Sequence, residues 1–431
     1  MRIESIEISR YRSLYHVVFR PGHLTVVVGP NNSGKTNLVD AVDFVAEAYR
    51  YGLEIAVGRK GGFENIAHRK MRRTKSPLAF RVVATVPISE LRNEIVTVQS
   101  ITGSGIRRDS AIRIEHHFEL VARSQAIEAD YRVAVETVRI DITDGDVSRE
   151  LLRLTRDADG ISIEPAAKLQ KTAFMRNLLY PLQDEAFAAY LGTPKGVPAS
   201  DLLVGVRFFN PVLSQFARAM ANTRVYQLAP LEGRRPGVPT PNPDLERHGA
   251  NLPAFVAQLR KNPAVWSAIL ETMRRVVPGL DDIDTDFTPD RRLALRFHES
   301  NVGRPWASED VSDGTIQTLA LLAALYDPRT GFVLIEEPEN AVHPWIVRNF
   351  VEACRSAGGK QIVLTTHSPA LINTLVPGEV LVASRSHGET NITPLVDLDP
   401  GAQSLWADGV ARVFDILDTG WLSEAVPGGS E

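Results

Sequence analysis

Short apolar runs stand out along the chain: "LTVVVG" at 24–29, "FVLI" at 332–335 and "QIVLTT" at 361–366. Aliphatic and β-branched runs without polar alternation suit strands buried on both faces, as in a parallel sheet. A different pattern fills 78–165. There "LAFRVVATVPI", "AIRIEHHFELVAR", "DYRVAVETVRIDI" and "GISIEP" alternate apolar with polar residues, which predicts half-buried antiparallel strands in a layer of their own. Helical spacing marks "NLVDAVDFVAEAYR" at 37–50, "DEAFAAYL" at 184–191, "PVLSQFARAMA" at 211–221 and the long run "LPAFVAQLRKNPAVWSAILETMRRVV" at 252–277. The stretch "VSDGTIQTLALLAAL" from Val311 predicts an amphipathic helix with Leu319, Leu322, Ala323 and Leu325 on its apolar stripe. Between the helical runs lies a Pro/Gly-rich loop, "APLEGRRPGVPTPNPD", at 229–244. Sustained heptads and fixed-period repeats are missing from the sequence, which excludes a long coiled-coil arm and a solenoid.

Composition changes this picture little. The chain has 431 residues, 44% hydrophobic and 23% charged, which is ordinary for a globular protein large enough for two or three packed units. A net charge of -4 provides no overall basic field, so contact with nucleic acid requires a local patch. The candidate patch is "RKGGFENIAHRKMRRTK" at 59–75, where Arg59, Lys60, Arg69, Lys70, Arg72, Arg73 and Lys75 face the single acid Glu64. Such a run could neutralise the phosphates of DNA or RNA, or form a solvated or partner-facing surface; both readings stand. Phe63 is its one aromatic residue, so base stacking is not indicated. Cys354 is the sole cysteine, which rules out an internal disulfide and fits a reducing compartment. The opening "MRIESIEISRYRSL" lacks the apolar block of a secretion signal, and "LALLAALY" at 319–326 is far short of the ~20 residues of a spanning helix. A cytoplasmic protein without a membrane partner is expected.

Chemistry enters at the ends of the buried runs. After "LTVVV" comes Gly29-Pro30-Asn31-Asn32-Ser33-Gly34-Lys35-Thr36, a full G-x-x-x-x-G-K-[ST] phosphate loop, followed by helical spacing from Asn37. Strand, loop and helix is the context that motif requires. The glycines let backbone N–H groups turn inward toward phosphate, and the helix N-terminus adds its positive end. Lys35 can reach β- and γ-phosphates, and the Thr36 hydroxyl can ligate Mg²⁺. The run at 332–335 delivers Glu336 and Glu337 at a strand's C-terminal end, where open α/β sheets place their chemistry. One acid can hold Mg²⁺ while the other polarises an attacking water. The run at 361–366 ends beside His367, whose imidazole could bond a γ-phosphate or that water. Ser312 and Gly314 open a helix, either as an anion site or with Ser312 as an ordinary N-cap.

Taken together, these pieces resemble the ABC-class ATPase heads of the SMC, RecF and OLD group, and more closely the bacterial AAA-type ATPases found in phage-defence operons. The resemblance rests on Gly29–Thr36 as Walker A, "VSDGT" at 311–315 as signature, "VLIEEPENAVHP" at 333–344 as Walker B and "VLTTHSP" at 363–369 as switch histidine. Lesser matches are "YRSL" at 11–14, "NIAHR" at 65–69, "HGANLPAFV" at 248–256 and "VPGLDDI" at 277–283. The implied fold is α/β, a P-loop NTPase of ABC-ATPase head type with a mixed central sheet, an antiparallel β-layer and a helical insertion. The implied organisation is an N-terminal lobe at 1–170, a helical insertion or lid at 171–285, a C-terminal lobe at 286–396 and a tail at 397–431.

The resemblance also implies a mechanism. Two copies pair head to tail around two Mg·ATP, forming a homodimer or higher oligomer. Residues Gly29 to Asn37 of one copy hold the nucleotide, and Ser312 and Gly314 of the other touch its γ-phosphate. Thr36 and Glu336 hold Mg²⁺, Glu337 acts as general base, and His367 senses the γ-phosphate beside Lys35. Closure and hydrolysis would gate DNA, RNA or a separate effector protein, in genome maintenance or phage defence; the alternative is a scaffold that holds ATP without turning it over. Asp313 stands where transporters have glycine, and Glu336 where aspartate is commoner. The motifs do not place a Q-loop glutamine; Gln99 lies in a plausible region for one. The chain after "TTHSP", with Asp397, Asp399, Asp415 and Asp418, is too short for the nuclease domain of OLD proteins. A P-loop kinase is disfavoured, because the signature and the paired glutamates would have no task in it.

Overall fold

The computed structural model describes residues 1–68, 76–91, 110–123, 130–145, 147–165, 200–205, 211–300 and 302–420. The chain divides into two compact units that exchange several times along the sequence. One comprises Met1–Pro21, Thr36–Thr223 and Arg385–Ile392, the other Gly22–Lys35, Arg224–Ser384 and Thr393–Glu431. The segment 171–285, expected as one helical insertion, is thus shared between the units at Thr223 and Arg224.

The first unit is built on a seven-stranded antiparallel sheet. From edge to edge its strands are Leu14–Phe19, Arg2–Tyr11, Leu78–Pro87, Ala111–Ala122, Tyr131–Asp144, Val147–Asp157 and Gly160–Pro165. The alternation in the sequence is realised in Ala111–Ala122, where every second residue from Ile112 to Leu120 is buried. Helix Lys35–Tyr51 contributes Phe44, whose ring meets Tyr11 and Phe80 at centroid distances of 5.7 and 5.4 Å. Helix Pro211–Ala221 is tied to it by Arg50, which donates to the carbonyls of Ala221 at 2.6 Å and Thr223 at 2.7 Å.

The second unit has five parallel strands in the order Val380–Ser386, Leu24–Val28, Gln361–Thr366, Phe332–Glu336 and Arg224–Tyr226. The three apolar runs of the sequence are the central strands, and every residue in them is buried. Register puts Val28 level with Thr366, and Thr365 level with Glu336. Because the strands are parallel, the phosphate loop, the paired glutamates and His367 all leave from the same sheet edge.

Two helical expectations need correction. The run 252–277 is two helices, Leu252–Leu259 and Pro263–Val276. Asn262 caps the second by accepting the Val265 N–H, and Pro263 at the first helical position ends the first helix's continuation. Helix Asp313–Tyr326 is not amphipathic: all residues from Thr315 to Leu325 are buried. A helix apolar on all sides belongs inside a core rather than on its rim. The predicted helix at 184–191 and Gln99 lie outside the described residues. Among the described residues, no helix is long and apolar enough to cross a membrane.

Candidate functional site

The phosphate loop is shaped by backbone that few residues tolerate. Gly29, Asn32 and Gly34 have φ of +153°, +67° and +104°, and Ser33 N–H closes back on the Pro30 carbonyl at 3.3 Å. A Cβ on Gly29 would lie 2.3 Å from the carbonyl oxygen of Ala383. Lys35 is 8% exposed and folds back over its own loop, donating to the carbonyls of Gly29 at 2.6 Å and Pro30 at 2.9 Å. Burial lowers its pKa, and the negative charges of Glu337 and Glu339 pull it back up. The Ser33 hydroxyl is buried without a hydrogen-bond partner among the described residues. Asn31, Asn32 and Thr36 are exposed. Asn37 is engaged within the first unit, donating to Ser13 Oγ at 2.6 Å, and Ser13 in turn meets Thr390 Oγ1 at 2.7 Å.

The acids follow at the same sheet edge. Glu336 is the last residue of its strand and is 6% exposed. Glu337 turns the chain out of the sheet with φ of +45°, its N–H bonded to the Thr365 carbonyl at 2.9 Å. This left-handed turn separates the two side chains' environments. The Glu337 carboxylate meets His367 Nδ1 at 3.2 Å and accepts from Asn340 Nδ2 at 3.1 Å. Glu339, which the motif reading passed over, accepts from the Thr366 hydroxyl, and its Oε2 is buried without a partner among the described residues. Burial raises the Glu339 pKa and Glu337 adds to the rise, against the hydrogen bond from Thr366 and the charge of His367. Lys35, Glu337, Glu339 and His367 therefore form one electrostatic group.

Ser312 and Gly314 lie on another element. Ser312 is exposed and caps helix Asp313–Tyr326, accepting the Thr315 N–H at 3.2 Å. Gly314 packs so close to the loop after Glu337 that a Cβ there would lie 3.0 Å from the Ala341 carbonyl oxygen.

A family model described as "AAA ATPase domain" matches residues 1–181, and one described as "AAA domain, putative AbiEii toxin, Type IV TA system" matches residues 212–373. The first spans the phosphate loop, the second the signature, both glutamates and His367. Both matched segments are thus similar to AAA-type ATPase domains. Tylosin resistance ATP-binding protein TlrC of Streptomyces fradiae is 32% identical over 120 residues, 27% of this chain and 21% of TlrC. The chain thus aligns with about a fifth of that relative. Among solved structures, an SMC head bound to the C-winged helix domain of ScpA has 13% identity and a TM-score of 0.47, covering 91% of this chain and 97% of that one. The SMC head domain from Thermotoga maritima has 12% identity and a TM-score of 0.40, covering 91% and 99%. An SMC head from Pyrococcus furiosus has 13% and 0.45, covering 95% and 100%.

Several residues of this chain gain a setting that motif reading did not provide. Arg247 donates to Glu336 Oε1 at 2.9 Å. Its loop is held rigid from both sides: Asn251 bonds the N–H of Glu246 and the carbonyl of Asp244, and Gln227 N–H bonds the Arg247 carbonyl. That accounts for the "HGANLPAFV" match. In the first unit Asp40 is bound by Tyr11 Oη, by Arg12 at 3.0 Å and by Lys60 at 2.9 Å. "YRSL" and "NIAHR" meet there, through Arg12 N–H to the Ile66 carbonyl and His68 N–H to the Arg10 carbonyl. Within the basic patch, Lys60 is buried against Asp40 and Asp43, and Arg59 pairs with Glu47 at 2.9 Å. Those two charges are neutralised by the helix after the phosphate loop; Arg69, Lys70, Arg72, Arg73 and Lys75 lie outside the described residues.

Gly29→Ala should weaken ATP binding by about 10-fold or more, because the Cβ must displace either the loop or the strand carrying Ala383. A fluorescent ATP-analogue titration measures it; unchanged affinity would show the loop can shift without cost.

Proposed function

We propose that this chain hydrolyses ATP between two of its copies and uses the cycle to gate a nucleic-acid or protein partner. The observation that carries the reading is the Glu337–His367 pair at 3.2 Å, at the sheet edge from which the phosphate loop with Lys35 also leaves. A carboxylate beside an imidazole can orient a water and take its proton.

The loop's residues fit a triphosphate. Ser33 Oγ is a buried polar atom without a partner among the described residues, and Lys35 is a cation turned on loop carbonyls that phosphate oxygens could replace. Thr36 and Glu336 are the proposed Mg²⁺ ligands, in keeping with an ion that usually takes few protein ligands and completes its shell with phosphate and water. Mg²⁺ would offset the charge on the phosphate oxygens. Ser312 and the Gly314 N–H are proposed to complete the site of the facing copy, and the exposure of Ser312 supports that role. A setting in defence, with a separate effector or DNA or RNA as the gated partner, is part of this proposal; one matching family model is described as a putative AbiEii toxin of a Type IV TA system.

One observation favours the scaffold reading: Glu336 is already paired with Arg247, so the resting site is not set for turnover. Phosphate release decides between them. Mg·ATP should yield steady phosphate release from the purified chain, whereas a scaffold would show none with or without DNA. Lys35→Ala should lower ATP affinity by roughly 10–100-fold through loss of a charge-assisted contact to phosphate. Undiminished nucleotide binding in that variant would remove Lys35 from its role.

A further inference from the structure

The signature turn carries a negative charge where a phosphate should approach. Asp313 is the first residue of helix Asp313–Tyr326, and its side chain is 66% exposed. A helix N-terminus carries about +0.5 charge, so a bare carboxylate there would reverse its sign. Arg234 meets that carboxylate. Its Nη2 donates to Asp313 Oδ1 and its Nη1 to the Glu309 carbonyl at 3.1 Å. The Arg234 side chain is only 18% exposed, while that of its neighbour Arg235 is 61% exposed and pairs locally with Glu232.

Arg234 is also held from behind. Its carbonyl accepts from Ser308 Oγ at 2.8 Å, and its N–H bonds the Pro230 carbonyl at 3.0 Å. Gly233 lies so tightly against Ile316 and Leu252 that a Cβ would sit 3.2 Å from each. The backbone of the Pro-rich loop is therefore pressed onto the signature helix itself, which fixes where the guanidinium can reach.

We propose that Arg234 is a positioning residue that cancels the Asp313 carboxylate, so that the signature turn can accept the γ-phosphate of ATP held by a second copy. This rests on the dimer reading above. In an isolated chain the Asp313 carboxylate stands largely in water, so the pair contributes little. When two copies close, the same carboxylate would face phosphate in a dehydrated interface, where juxtaposed like charges are strongly unfavourable.

The test is a rescue series in the Glu337→Gln background, with ATP-dependent association followed by sedimentation and ATP binding by a fluorescent analogue. Arg234→Ala should weaken association by about 10-fold or more, with ATP binding and thermal unfolding of the single chain unchanged. Asp313→Gly together with Arg234→Ala should restore association, since no charge remains to cancel, and Arg234→Lys should retain most of it. If Arg234→Ala associates like its parent, or Asp313→Gly fails to restore it, the charge-cancelling role is wrong. A parent that binds ATP yet stays monomeric overturns the dimer reading and this inference with it.

Discussion

Glu337→Gln should lower steady-state phosphate release by about 100-fold or more while leaving ATP affinity within a few-fold of wild type. The substitution is close to isosteric. The amide oxygen can still accept from Asn340 Nδ2, and the backbone turn with φ of +45° poses the same steric demand for glutamine as for glutamate. The ability to take a proton from water is what disappears. General-base catalysis contributes about 10²–10⁴-fold, which sets the size of the loss. Affinity should be nearly preserved because the phosphates are held by Gly29 to Thr36, not by this carboxylate. Phosphate release and analogue binding measured on the same preparation separate the two effects. Turnover near the wild-type rate would pass the general-base role to another group, and Glu339, with a buried oxygen unpartnered among the described residues, would be the first to examine.

Legibility in the sequence followed the range of the interactions. The phosphate loop was readable because its chemistry and its local structure are dictated by the same eight contiguous residues. The parallel strands were readable because burial on both faces removes polar residues from them. Arg247 and Arg234 were not, since their partners Glu336 and Asp313 lie 89 and 79 positions away and no local pattern couples them. Arg234 is one of two adjacent arginines in the Pro/Gly-rich loop, and only its burial and its distant partner distinguish it from Arg235. Glu339 sits beside the recognised acids, yet nothing in "EEPEN" shows that Thr366 hydrogen-bonds it. The break at Asn262-Pro263 and the all-round burial of Asp313–Tyr326 were available in principle. An Asn-Pro step signals a helix start, and "TLALLAALY" offers no polar face.

Glu136→Ala should destabilise the first unit by about 3–5 kcal/mol, the usual cost of removing one partner from a buried ion pair. Glu136 and His116 are both 0% exposed. The Oε1 atom accepts from His116 Nε2 at 3.0 Å and from Leu203 N–H at 2.7 Å, and Oε2 from Arg156 at 2.6 Å. Burial alone would raise the Glu136 pKa; the His116 bond and charge, the Arg156 charge and the Leu203 N–H outweigh it and hold the carboxyl below its usual range. Tyr49, kept protonated by burial, places its hydroxyl against the remaining ring nitrogen of His116. Alanine would take the carboxylate away from Arg156 and leave the His116 and Leu203 donors without this acceptor inside a closed core. For a unit of this size the loss corresponds to a fall in Tm of roughly 6–20 °C. Because the folded pKa is depressed, the stabilisation is complete above the unfolded value of about 4.3 and vanishes as pH falls through the folded one. Calorimetry at neutral pH and again under acid should therefore show the gap between wild type and variant narrowing in acid. A variant within about 1 kcal/mol of wild type at neutral pH would mean that water enters this core and takes over the carboxylate's bonds.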